Sequence, residues 1–103
     1  MPHFVVEYFD RPDSGEIRAA HRNQHIQYRI DLGPALVLAG PLFDDFDGAP
    51  AKGSLVIIEA KDKAQAVEIA HRDPYAMAGV FEAVRVFAHR ILVLNAPAPQ
   101  AKA

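Results

Sequence analysis

The chain of 103 residues contains no cysteine, which excludes disulfides, thiolate metal sites and cysteine nucleophiles. It has no basic surplus. Eleven Lys and Arg residues stand against 13 Asp and Glu, for a formal net charge of −2. A general nucleic-acid binder needs a clear positive excess, so no nucleic-acid partner is expected. No apolar run is long enough to span a bilayer. The densest, residues 35–43, is broken by Gly40-Pro41 and reaches about half the required length. No basic segment followed by an apolar stretch opens the chain, so no secretory leader is expected. With cysteine absent as well, a cytoplasmic location without a membrane partner is the expectation. Gly-rich phosphate loops, nucleophile-elbow serines and dinucleotide fingerprints are also missing. No cofactor is expected.

What remains has the balance of a globular protein, with 50% apolar and 23% charged residues. The length suits one domain, residues 1–94. The Ala/Pro-rich residues 95–103 read as a flexible C-terminal tail. Residues 3–9 are rich in β-branched and aromatic side chains and predict a strand. After a turn-forming cluster, Asp13 and Glu16 have capping-box spacing for a helix that runs to about Leu32, where Gly33-Pro34 supplies a stop. Residues 35–43 predict a second strand, 44–53 a polar loop and 54–60 a third strand. Asp62 and Gln65 predict the cap of a second helix ending near Arg72, because Asp73 precedes a proline. A short turn over 74–79 leads to a last strand over 83–94.

The order β-α-β-β-α-β predicts an α+β, ferredoxin-like sandwich: an antiparallel sheet with both helices on one face. Both alternating sets of strand residues are mostly apolar. Phe4, Val6 and Tyr8 oppose Val5, Glu7 and Phe9, and Leu55 and Ile57 oppose Val56 and Ile58. Two helices cover only one face. A soluble monomer rarely leaves such a patch open, so a homodimer through the sheet faces is expected.

The first helix carries the chemistry. Arg18, His21, Arg22, His25 and Arg29 follow i, i+3, i+4, i+7 and i+11, which at about 100° per residue forms one stripe. Apolar residues flank it on both sides, so the stripe borders either solvent or a cleft. His25 has the side chain suited to general acid–base work near neutrality. His21 and His25 have a metal-chelating spacing, but no third ligand is evident and no metal is expected. Asp73 before Pro74 is a standard helix start; it also suits a carboxylate that orients a histidine. Pro2 offers an amine base only if Met1 is removed, and otherwise simply precedes the first strand. Asp44, Asp45 and Asp47 read as a solvated loop rather than a cation site.

Taken in order, several short motifs resemble one family. They are Arg22 to Ile26 around His25; Leu38, Ala39, Gly40 and Pro41; Asp47-Gly48; Gly53-Ser54; Asp73-Pro74-Tyr75; and Ala78-Gly79-Val80. Together they resemble the YCII-related (YciI-like) family over roughly residues 3–94. The resemblance implies a dimeric α/β barrel and a site built on His25 and Asp73. Gly40, Pro41, Ser54 and Tyr75 would shape or line the cleft, and beside this resemblance the charges of Arg18, Arg22 or Arg29 suit attracting an anionic substrate or stabilising a developing enolate. The resemblance also implies a cofactor-independent enzyme that transfers protons through the His–Asp pair. The reaction would be isomerisation or elimination, including dehydrochlorination, on a small oxygenated, cyclic or aromatic molecule. Two alternatives stay open: a non-catalytic small-ligand-binding or accessory dimer, and a cofactor-free oxygenase of the same barrel type.

Overall fold

Residues 1–95 are described by a computed structural model; most of the expected tail, residues 96–103, lies outside them. The elements are β1 (His3–Asp10), α1 (Gly15–Asp31), a 3₁₀ turn (Gly33–Ala35), β2 (Leu36–Leu42), β3 (Gly53–Glu59), α2 (Lys63–His71), α3 (Pro74–Met77) and β4 (Phe81–His89). The four strands form one antiparallel sheet in the order β2-β3-β1-β4. The fold is α+β and ferredoxin-like. Among the described residues no helix is long and apolar enough to cross a membrane.

Alternation along the strands divides the sheet into two faces. On one face Phe4, Val6, Tyr8, Val56 and Ile58 pack against Ala66 and Ala70 of α2. Small residues at the helix contact let α2 approach the sheet closely. Burying each Val or Ile there contributes about 1.5–3 kcal/mol. The other face carries Val5, Leu38, Leu55, Ile57 and Phe87, brought together by the register Val5↔Ile57, Val5↔Phe87 and Leu38↔Ile57. Leu38 is 44% exposed and Phe87 is 49% exposed.

Three features depart from expectation. The N-cap of α1 is Ser14, and no side chain bonds to cap it, so the Asp13–Glu16 box does not form. The entry turn is instead tied to the sheet end, where the Arg11 N–H donates to the Val80 carbonyl at 2.9 Å. Residues 74–79 contain a third helix, α3, rather than a turn alone. The last strand ends at His89, not Leu94, because His89 pairs with His3, the first residue of β1. Beyond it the apolar residues 91–94 have no neighbouring strand to bond. The register of β2 slips between Leu36 and Leu38, inserting Val37 as a bulge. The cap of α2 forms as expected: Asp62 accepts from the Gln65 N–H at 2.9 Å.

α1 stands apart in how it is held. None of its residues is buried. It is tied down by polar side chains, among them Tyr28, whose hydroxyl donates to the Ile69 carbonyl at 2.7 Å. A helix packed this way leaves room between itself and the β2–β3 side of the sheet.

Candidate active site

The room beneath α1 is a cleft of about 250 Å³, lined by Arg18, His25 and Arg29 from the helix and by Tyr75 and Phe81 beyond it. Ala39, Gly40 and Pro41 of β2, with Ala51, Gly53 and Ser54, form the opposite wall. Larger hollows lie elsewhere on the surface, including one of about 560 Å³ around His3 and His89, but His25 lines this cleft, with the carboxylate of Asp73 bonded behind it.

Asp73 is the centre of this arrangement. It is completely buried, and a bare carboxylate there would be costly. Three donors satisfy it. His25 donates through Nδ1 to Oδ1 at 2.7 Å, the Tyr75 backbone N–H donates to Oδ1 at 2.9 Å, and Arg29 donates through Nε to Oδ2 at 3.1 Å. Burial alone would raise the Asp73 pKa. The His25 and Tyr75 hydrogen bonds and the His25 and Arg29 charges outweigh it, and hold the pKa below the usual carboxylate value. Asp73 therefore stays ionised. It caps α3 and clamps α1 to it in the same set of contacts.

An ionised acceptor at Nδ1 fixes the imidazole tautomer: Nδ1 carries the proton and Nε2 is left as the acceptor nitrogen. The ring is held on its face as well, stacked on Tyr75 with centroids 3.9 Å apart and planes 10° from parallel. The His25 side chain is 17% exposed, enough to meet a ligand in the cleft. A ring held in this way has the geometry that a general base requires, with a carboxylate behind its conjugate acid.

The arginines differ from one another. Arg18 forms a two-nitrogen fork on Asp10, with Nε to Oδ2 at 2.9 Å and Nη2 to Oδ1 at 3.0 Å. Its guanidinium carbon lies 4.7 Å from the Tyr75 ring centre. Burial works against its charge, but the Asp10 hydrogen bonds and charge more than offset this and raise its pKa. Arg29 lies over the Tyr8 ring at 5.4 Å. Burial pushes the Tyr8 phenol far above its ordinary range, against the opposing pull of Arg29, so Tyr8 stays neutral.

His25, Arg18, Arg29, Gly40, Pro41, Ser54 and Tyr75 all line the one cleft, with Asp73 bonded behind it. Arg22 does not. It is exposed and absent from the cleft wall, so the structure does not bring it together with the others. It lies about 60° around α1 from His25, at the outer margin of the basic stripe. His21 turns its Nδ1 to the Ile17 carbonyl at 3.0 Å. No cluster of three or more metal-ligating side chains occurs among the described residues. The Pro2 carbonyl accepts from the Ala60 N–H at 3.1 Å, so Pro2 extends the pairing of β1 with β3. Asp10 was not anticipated as part of the site. It ends a strand and opens a turn cluster, and its meeting with Arg18 is set by the packing of α1. Gly53 was anticipated only as part of a motif. A Cβ there would stand 2.0 Å from the Tyr8 carbonyl oxygen, so only glycine fits.

The model of the YCII-related domain matches residues 1–90. Among solved structures, the chain is similar to 5-chloro-2-hydroxyhydroquinone dehydrochlorinase (TftG) from Burkholderia phenoliruptrix AC1100, in complex with 2,5-dihydroxybenzoquinone. Identity is 26% and the TM-score 0.76, covering 85% of this chain and 93% of that one. NE2512 from Nitrosomonas europaea, a protein of unknown function, shares the fold at 14% identity and a TM-score of 0.52, covering 94% of each chain. An antibiotic biosynthesis monooxygenase shares it at 12% identity and a TM-score of 0.52, covering 90% of this chain and 100% of that one. No curated relative matches.

Proposed function

We propose that this chain, which belongs to the YCII-related domain family, is an enzyme that moves a proton on a small oxygenated ring with His25 as the general base. The observation that carries the reading is the 2.7 Å bond from His25 Nδ1 to the buried carboxylate of Asp73, at the wall of a cleft a single ring can enter. Nε2 takes a proton from a hydroxyl or an acidic carbon. The bonding electrons stay on the substrate as an enolate or phenolate. In an isomerisation the imidazolium returns the proton at another atom. In an elimination from an aromatic ring the imidazolium first returns the proton to the chlorine-bearing carbon; a second hydroxyl then loses its proton, its electron pair forms a carbonyl, the ring double bond shifts and chloride departs with the C–Cl bonding pair. Asp73 holds the tautomer and stabilises the imidazolium; it is not itself protonated.

The likeness to a dehydrochlorinase at 26% identity over 85% of the chain supports elimination as the first reaction to test. A second copy covering the apolar sheet face, with the exposed Leu38 and Phe87, is part of the same proposal: that face is too apolar to be left open to water.

The test is turnover. Purified protein is mixed with 5-chloro-2-hydroxyhydroquinone and with unchlorinated hydroquinones, and chloride release and ring absorbance are followed. Wild type is expected to release chloride, and His25→Gln to lower kcat/KM by about 10²–10⁴-fold. A His25→Gln protein with wild-type turnover would refute the role of His25. Ring binding without any turnover in the wild type would favour a ligand-binding module.

A further inference from the structure

Three arginines of α1 share one helical stripe, but the structure gives them different environments. Arg22 is exposed and off the cleft. Arg18 is committed to Asp10 through two of its nitrogens. Arg29 uses only Nε on Asp73, at 3.1 Å. Its guanidinium rests over Tyr8, it lines the cleft, and its side chain is 15% exposed. A carboxylate at Nε and an aromatic face alongside fix the plane of this fork. Apart from the Tyr8 hydroxyl, which lies within hydrogen-bonding reach of the guanidinium, no protein group bonds to its Nη nitrogens among the described residues. A fork fixed in this way is suited to an oxyanion.

The wall opposite is built from small residues: Ala39, Gly40, Pro41 and Gly53, with Ser54 as its one hydroxyl. No side chain there reaches across, so the space is a slot, and about 250 Å³ suits one flat ring. The charges set a further condition. Arg18 is balanced by Asp10, and Arg29 by Asp73. With neutral imidazole the slot has no net charge. A ring acid whose proton passes to His25 Nε2 leaves an imidazolium beside Asp73 and a single negative oxygen for Arg29. A second negative charge would have no counterion.

We infer that Arg29 sets the ligand class of this cleft: its Nη edge holds the ionised oxygen of a flat, single-ring phenol or enol, bound as a monoanion in preference to a neutral ring of the same size. In binding, the ligand O–H bond breaks, its electron pair stays on oxygen and the proton goes to His25. The inference rests on the cleft proposed above as the site, but its test needs no turnover.

The probe is 4-nitrocatechol, whose first phenol ionises near neutral pH with a change of colour. It is titrated into the protein in mildly acidic buffer, where the free probe is largely protonated. Wild type is expected to bind it as the coloured phenolate. Arg29→Met should weaken binding by about 10–100-fold, the range for a lost hydrogen bond to a charged group, and abolish the colour shift. Arg22→Met should leave both unchanged. Arg29→Lys keeps the charge and should keep the shift; it also serves if Arg29→Met fails to fold by circular dichroism. The inference is overturned if wild type gives no shift, if folded Arg29→Met keeps it, or if folded Arg29→Lys loses it. Phenolate binding through Arg29 with no turnover on any ring would sink only the proton-transfer enzyme. Turnover that depends on His25 but not on Arg29 would sink only this inference.

Discussion

Asp73→Asn is the most informative single change, because the substitution keeps the shape and removes the charge. The carboxylate accepts three hydrogen bonds, at 2.7, 2.9 and 3.1 Å, with no solvent exposure. An amide offers one acceptor oxygen and one donor nitrogen. If the oxygen keeps the Tyr75 and His25 bonds, the NH₂ group faces the Arg29 Nε–H, donor against donor. If the amide is flipped, the conflict moves to Tyr75 and His25. Either way the largely enclosed Arg29, 15% exposed, loses its counter-charge, which costs about 3–5 kcal/mol. For a domain of this size each kcal/mol corresponds to roughly 4–8 °C in Tm, so a drop of at least about 12 °C is expected. Urea unfolding at neutral pH should show the same loss as a lower midpoint. The pH dependence gives a second handle. The folded-state pKa of Asp73 lies below its unfolded value. Its stabilisation is therefore complete above the unfolded carboxylate pKa, about 3.9, and is lost as pH falls through the lower folded value. The stability gap between wild type and Asp73→Asn should narrow over that acidic window. A gap under about 1 kcal/mol at pH 7, or one unchanged through that window, would show that the buried carboxylate does not hold α1 and α3 together.

Other perturbations separate the remaining parts. Gly53→Ala places a Cβ 2.0 Å from the Tyr8 carbonyl oxygen and forces β1 and β3 apart, so a loss of about 2 kcal/mol or more in urea unfolding is expected; a neutral result would mean the strand pair yields freely. Asp10→Asn leaves Arg18 without its charged partner across a partly exposed pair and should cost under about 1 kcal/mol of stability; the freed positive charge at the cleft should strengthen binding of an anionic ring, measured by calorimetry, and weaker binding would contradict the charge balance. Leu38→Glu with Phe87→Glu puts two charges on the open sheet face; if a second copy covers that face, the sedimentation mass should fall by half, and an unchanged mass would place any partner elsewhere.

Much of the fold could be read from local pattern. β-branched runs mark β1 and β3, and Asp62 with Gln65 marks the start of α2, since these signals act over a few residues. The end of β4 could not be read locally. Residues 91–94 are as apolar as those before them, but the strand stops where β1 supplies no further partner, at His3. The basic stripe of α1 was legible as a period, yet a period does not show how wide a cleft is. Arg29 and Arg22 differ by only about 20° around the helix, yet Arg29 lines the cleft and Arg22 does not, a distinction that helical period alone does not carry. Asp73 carried two local meanings, cap and histidine partner, and it makes both contacts. Asp10 gave no local sign of its fork on Arg18, because the two meet only once α1 packs back along the sheet.

The most direct measurement is the protonation of the His25 ring by nitrogen-15 NMR, with and without 4-nitrocatechol. Proton transfer through Nε2 requires that neutral His25 carry its hydrogen on Nδ1, facing Asp73, with Nε2 bare, and that Nε2 gain a proton when the ring acid binds. A hydrogen already on Nε2 in the free neutral ring, or an Nε2 that stays bare when the phenolate is bound, would contradict it.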